Sequence, residues 1–174
     1  MFPRRLAIAL ALIALAVAGC SGATTGDPPP SATPVSDLEE LVFSYGIGAR
    51  NVLDTRRGTF TKDMILASPV TVELRLTDDE LQRVARRLAA IDFFSYPRVY
   101  ETREDLGGGV VTPSMTYRFA VTTAAGTKDV TWDDTTFNSD ERAADLRGLA
   151  RLLVGMIESK SEYQALPEPE GAYL

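Results

Sequence analysis

The chain predicts an α+β fold. It reads as a single domain in which antiparallel hairpins are each followed by a helix, a ββα-ββα-like order with the helices packed on one face of the sheet. Three observations lead there. Alternating apolar and polar residues flank a glycine-closed turn twice, at Gly58-Thr59 and at Gly126-Thr127. Each alternating block is followed by apolar residues at helical spacing, from Leu81 to Ile91 and from Leu146 to Ile157. A hydrophobic content of 45% with 24% charged residues suits a globular chain that buries a core.

The first segment is not part of that fold. Arg4 and Arg5 supply positive charge, Leu6 to Val17 is an unbroken apolar run, and Val17-Ala18-Gly19-Cys20 closes it. A dozen apolar residues fall short of the roughly 20 that a spanning helix needs, and they suit the h-region of a secretory signal peptide. An ordinary cleavage site needs no cysteine, yet the only cysteine of the chain follows two small residues directly. Residues 1–20 resemble the lipobox of bacterial lipoproteins. The resemblance implies that residues 1–19 are a signal peptide, and that Cys20 is acylated on sulfur and becomes the new N-terminus. It further implies a lipid anchor in the cell membrane or outer membrane, facing the periplasm or the exterior. The competing reading is a plain secreted protein with a chance cysteine at the junction. Ser21 follows Cys20 where an aspartate would, in some double-membrane bacteria, signal retention in the inner membrane.

Residues 20–36 comprise the lipidated cysteine and a stretch of small, polar and proline residues, too poor in apolar surface to order itself. As a partly extended tether it reaches up to about 40–50 Å. Residues 37–174 make up the folded part. With Arg4 and Arg5 removed, the 24 acidic residues leave a net charge of about −8. That balance disfavours nucleic acid as a partner and repels anionic lipid surfaces, so attachment falls to the acyl chains. The chain has no histidine, which removes the commonest general base and the commonest zinc ligand. A single cysteine forms no intrachain disulfide, and one consumed by lipid takes no part in catalysis.

Within the folded part, Val42-Phe43-Ser44-Tyr45 reads as a first strand ending at Gly46-Ile47-Gly48. Asn51 to Asp54 and Thr59 to Met64 flank the turn Thr55-Arg56-Arg57-Gly58 as a hairpin. Val70 to Leu76 is either a third strand or an extended approach to the first helix. That helix is the best-specified element: Thr77-Asp78-Asp79-Glu80 is a capping box, with Leu76 and Leu81 placed as a hydrophobic staple. Leu81, Val84, Ala85, Leu88 and Ile91 form its buried stripe, and Arg83, Arg86 and Arg87 form a solvated face. Pro97 is expected to stop it. Residues 98–113, with Gly107-Gly108-Gly109, form a long connection. Met115 to Thr123 and Thr127 to Asp133 make the second hairpin. Asn138 or Ser139 caps a last helix with a stripe of Leu146, Leu149, Ala150, Leu153, Met156 and Ile157. The tail breaks at Pro167 and Pro169, and with Tyr163 and Tyr173 it either wraps the domain or offers a peptide.

Few residues carry a chemical pattern. Gly46-Ile47-Gly48 lacks both the third glycine and the Gly-Lys-Ser/Thr ending of a phosphate loop, so it reads as a strand exit. Asp129, Asp133, Asp134 and Asp140 lack the alternating spacing around a glycine that a calcium loop requires. No metal or other cofactor is expected. Aromatic residues gather beside the long connection, and Tyr96, Tyr100 and Trp132 are the candidates for contact with a partner. Tyr96 and Tyr100 are the first expected to face solvent, while Phe93 or Phe94 packs between helix and sheet.

The order hairpin, helix ending in Asp92-Phe93-Phe94, hairpin, helix is similar to the emfourin-type inhibitors of thermolysin-like metallopeptidases over roughly residues 50–160. It rests on that layout, on Leu88 to Phe94 and on a Tyr-x-Phe-x-Val strand. The resemblance implies a tethered protease inhibitor and assigns no residue. A third reading is a carboxylate-dependent enzyme acting on envelope glycans. The reading the residues favour is a non-enzymatic domain that binds or scaffolds a protein or other envelope partner.

Overall fold

The computed structural model describes residues 38–102, 109–136 and 140–173. These form a mixed seven-stranded sheet and three helices, an α+β arrangement. Strand β1 (Leu38–Gly46) leads through a 3-10 turn at Ile47–Ala49 into β2 (Asn51–Asp54), β3 (Thr59–Lys62) and β4 (Val70–Glu73). Helix α1 (Asp78–Ala90), a 3-10 turn at Phe93–Ser95 and the short strand β5 (Val99–Tyr100) follow. Strands β6 (Val110–Thr123) and β7 (Gly126–Thr136) precede helices α2 (Glu141–Glu158) and α3 (Ser161–Gln164).

The strands lie in the order β4-β3-β2-β1-β6-β7-β5, so the first strand is central and pairs antiparallel with both β2 and β6. Only β5 runs parallel to its neighbour, β7. Register follows the period of two. Phe43 lies opposite Leu53 on one side and Phe119 on the other, and Tyr117 lies opposite Trp132, so one face of the sheet is aromatic. The buried residues of that face share one cluster with Val84 and Leu88 of α1 and with Leu146, Leu149, Leu153 and Ile157 of α2. Phe43 is at its centre, stacked 5.2 Å from Tyr45 and 5.1 Å from Phe119. Among the described residues no helix is long and apolar enough to cross a membrane.

Several boundaries differ from the sequence reading for identifiable reasons. Strand β1 begins at Leu38 rather than Val42, because β6 supplies a partner as far as Thr123. It ends at Gly46, whose φ of +103° favours glycine and where a Cβ would lie 2.8 Å from Asn51 Nδ2. The segment from Val70 is a strand, paired to β3 from Thr59↔Glu73 to Lys62↔Val70. Helix α1 carries the expected capping box, with Thr77 Oγ1 accepting from the Glu80 amide and Glu80 Oε2 from the Thr77 amide. It stops at Ala90, well before Pro97. Asp92 at φ +49° makes the stop, since a short polar side chain tolerates left-handed backbone. Within the long connection, Val99 and Tyr100 form β5 against β7. Asp140 caps α2 by accepting the Ala143 amide at 2.8 Å, while Asn138 and Ser139 lie outside the described residues. The expected stripe of α2 is buried throughout, with Ala143 added. Three strands and β1 precede α1, while β5, β6 and β7 precede α2, so the two halves differ in strand number.

Candidate functional site

Tyr96, Tyr100 and Trp132 come together, but inside. Their exposures are 1%, 9% and 0%, which overturns the expectation that Tyr96 and Tyr100 face solvent. The cause is β5. It places Tyr100 opposite Trp132 on the covered side of the sheet, and Tyr96 packs edge-on to Tyr100 with ring centroids 5.4 Å apart. Trp132 stacks on Tyr117 at 5.4 Å.

Each polar tip of this cluster is bound by the framework. The Tyr96 phenol donates to the Arg142 carbonyl at 3.0 Å, the Tyr100 phenol donates to the Asp140 carboxylate, and Trp132 Nε1 donates to Thr102 Oγ1 at 2.9 Å. Two guanidinium groups cover the rings. Arg142 lies 4.0 Å from the Tyr96 centroid and Arg147 lies 5.5 Å from that of Trp132, the latter donating twice to Asp134 at 2.9 and 2.5 Å. Burial, followed by the hydrogen bond and charge of Asp140, raises the Tyr100 phenol far above its ordinary value. Burial and Asp145 raise Tyr96 against the opposing pull of Arg142. These phenols stay protonated and serve as donors. The cluster does the work of a keystone between β5, β7 and the start of α2, and Phe93, fully buried, extends it toward Phe119.

The aspartate group is dispersed by strand geometry. Asp133 and Asp134 are neighbours on β7 and therefore point to opposite faces. Asp133 accepts from Thr116 Oγ1 on the open face, Asp134 holds Arg147 on the covered one, and Asp140 is committed to Tyr100 and the α2 cap. Among the described residues no cluster of potential metal ligands is present. Cys20, the predicted lipidation site, lies outside the described residues.

The other face of the sheet, which the sequence reading did not single out, is partly accessible. Its side chains follow the register across the strands: Thr71, Thr61, Val52, Ser44, Arg118 and Thr131 in one row, and Glu73, Thr59, Asp54, Val42, Ala120 and Asp129 in the next. Small hydroxyl and aliphatic side chains dominate. Thr61 and Thr71 are linked at 2.8 Å and Thr122 and Thr127 at 3.2 Å. At the margin Arg56 pairs with Glu40 and Arg57 with Asp54, each at 3.6 Å, and Arg75 with Glu73 at 3.1 Å. Arg118 is different. It is exposed near the middle of this face and makes no ion pair among the described residues. The alternation of β6, Thr116-x-Arg118-x-Ala120-x-Thr122, was the signal that places it opposite the core.

No family model, curated protein or solved structure matches the chain.

Proposed function

We propose that the chain is a membrane-anchored bacterial lipoprotein whose folded part is a non-enzymatic binding domain at the cell envelope. The anchor rests on the lipobox-like residues 1–20 and on the proline-rich tether that follows. The layout is read as two β blocks, each closed by a helix on the same side, which leaves the opposite side of the sheet for recognition. The observation that carries the binding role is that open face with Arg118, which makes no ion pair among the described residues. Val42, Ser44, Val52 and Ala120 lose little rotamer freedom on being covered, so a partner docks there without a large ordering cost. Charge selects the partner: a protein surface that brings a carboxylate to Arg118 and a basic side chain to Asp129. The half-buried carboxylates that an enzyme would need are already engaged, Asp134 by Arg147, Asp145 by Arg87 and Glu80 by Lys160.

Two experiments test the two halves of the reading. Mass spectrometry of the protein from native membranes is expected to show a mature chain beginning at acylated Cys20, absent in Cys20→Ala; an unmodified Cys20 sinks the anchor. For the face, a photo-crosslinking residue at Ala120 is expected to give a discrete adduct in the envelope, lost on Arg118→Glu. The same probe at Ala90, on α1, gives none. Adducts from Ala90 alone would place recognition on the helices instead, and an adduct with a secreted metallopeptidase would favour the tethered inhibitor.

A further inference from the structure

The C-terminal residues lie against the sheet end where β3 finishes. Leu166 is buried, the Pro167 carbonyl accepts from Lys62 Nζ at 2.9 Å, and Glu170 forms a parallel bridge with Ile65. Gly171, at φ +91°, sits so close to Leu66 that a Cβ there would lie 2.6 Å from Leu66 Cδ1. The Tyr173 phenol then donates to the Asp63 carboxylate. Of the two readings of the tail, wrapping or free peptide, it wraps.

The receiving surface is unusual. Lys62 and Asp63 are adjacent, charged and each only 6% exposed. Buried charge requires compensation. Among the described residues, the Lys62 ammonium meets only the Pro167 carbonyl and the Tyr163 ring, 5.0 Å to its centroid, both from the last segment of the chain. Asp63 accepts the Ile65 amide at 3.2 Å and otherwise the tail's phenol. Ile65 has φ +62°, a costly conformation for a β-branched residue, and this turn brings its backbone edge to Glu170. Leu66 stays 76% exposed even with the tail in place. A strap held only for stability would be held by apolar burial, yet among the described residues of the tail Leu166 is the one buried side chain. Such a segment belongs to the low-stability end of a fold, and its departure withdraws one side chain, Leu166, from the core cluster. Tyr163 remains behind, packed 5.6 Å from Phe60.

We propose that Lys62, Asp63, the Ile65–Leu66 turn and Tyr163 form a docking groove for an extended peptide, filled in this chain by its own residues 166–173. The groove takes from a partner protein a segment of the same chemistry: an aliphatic residue before proline, a glycine four positions after that proline, and a tyrosine two positions further on. The ammonium reads the proline carbonyl, the φ of +91° beside Leu66 favours glycine, and the carboxylate reads the phenol. The tail is then the resident competitor that keeps the groove closed until a partner segment displaces it. This docking is independent of the lipid anchor and of the open face of the sheet.

The test uses a fluorescein-labelled peptide with the sequence of residues 164–174, followed by polarisation against the full chain. Gly171→Val puts a β-branched residue at φ +91° beside Leu66 and so strains the resident tail without altering Lys62, Asp63 or Tyr163. The peptide is expected to bind this variant at least tenfold more tightly than the wild-type chain, and Gly171→Val/Asp63→Asn is expected to lose that gain. A peptide carrying Phe for Tyr173 should lose it as well. Equal affinity for the variant and the wild type, or no binding to a variant that still melts cooperatively, overturns the proposal. If Gly171→Val fails to fold, the chain ending at Ala165 is the second receptor. If that also fails to fold, the tail belongs to the core and the proposal falls. A concentration-dependent dimer that the peptide does not dissolve would show exchange of tails between copies and overturns it too.

Discussion

Glu80 receives two donors on one oxygen. Its Oε2 accepts the Thr77 amide at 2.8 Å and the Lys160 ammonium at 2.6 Å, closing the α1 cap and tying α1 to the segment after α2. Partial burial opposes ionisation, but Lys160 and Thr77 outweigh it and hold the carboxyl below its ordinary value of 4.5. A depressed carboxylate stabilises the fold above its unfolded pKa, and the contribution is lost as pH falls through the folded one. Glu80→Gln should therefore cost about 1–2 kcal/mol at pH 7, and the melting difference from wild type should shrink below about pH 4. A difference that stays constant from pH 7 to pH 3 would mean the pair contributes nothing as charges. At Tyr100, removal of the phenol leaves Asp140 still capping α2, so Tyr100→Phe should cost about 1–3 kcal/mol without unwinding the helix. Thermal melts followed by far-ultraviolet circular dichroism separate the two effects. The buried state of Tyr96 and Tyr100 was not legible in the sequence, because it depends on a two-residue strand that pairs with a segment some thirty positions later. Lys62 was legible: it alternates in phase with Phe60, which points both to the covered side.

At the level of elements, what was legible was local. The capping box, the stripe of α2 and both glycine-turn hairpins are set by residues a few positions apart, and they stand where the pattern put them. Terminations were less legible, because they depend on what the next residue must bury. Ile91 and Phe93 both enter the core, which forces the backbone between them into the left-handed region at Asp92 instead of letting the helix run on to Pro97. Asp92 is exposed, and glycine adopts that conformation freely, so Asp92→Gly should raise stability by up to about 1 kcal/mol. Chemical denaturation reads this directly, and a loss of stability would show that the aspartate side chain itself holds the turn. The cap of α2 fell on Asp140 because the amide it must satisfy is that of Ala143, three residues on.

For the whole molecule, the two faces of the sheet predict opposite tolerances. Phe43→Ala empties the centre of the aromatic layer and should cost about 3–5 kcal/mol, while Arg118→Glu on the open face should change stability by less than about 0.5 kcal/mol and yet abolish the crosslink. A large loss of stability in Arg118→Glu would make that residue structural. The pairing of β1 reaches further still. Its partners on β6 run from Leu38↔Thr123 to Gly46↔Thr116, so the middle of the sheet joins the first strand of the described residues to one made much later. During synthesis, β1 to β4 and α1 emerge with one long ladder edge vacant and the Phe43 side still without α2. Unpaired edges of this kind invite association between chains, and distant pairings close slowly, on the order of milliseconds to seconds. Half a chain is therefore not half a fold. Translation arrested anywhere before β6 releases a sheet whose middle strand is an edge, and the nascent protein depends on whatever shields that edge until β6 arrives.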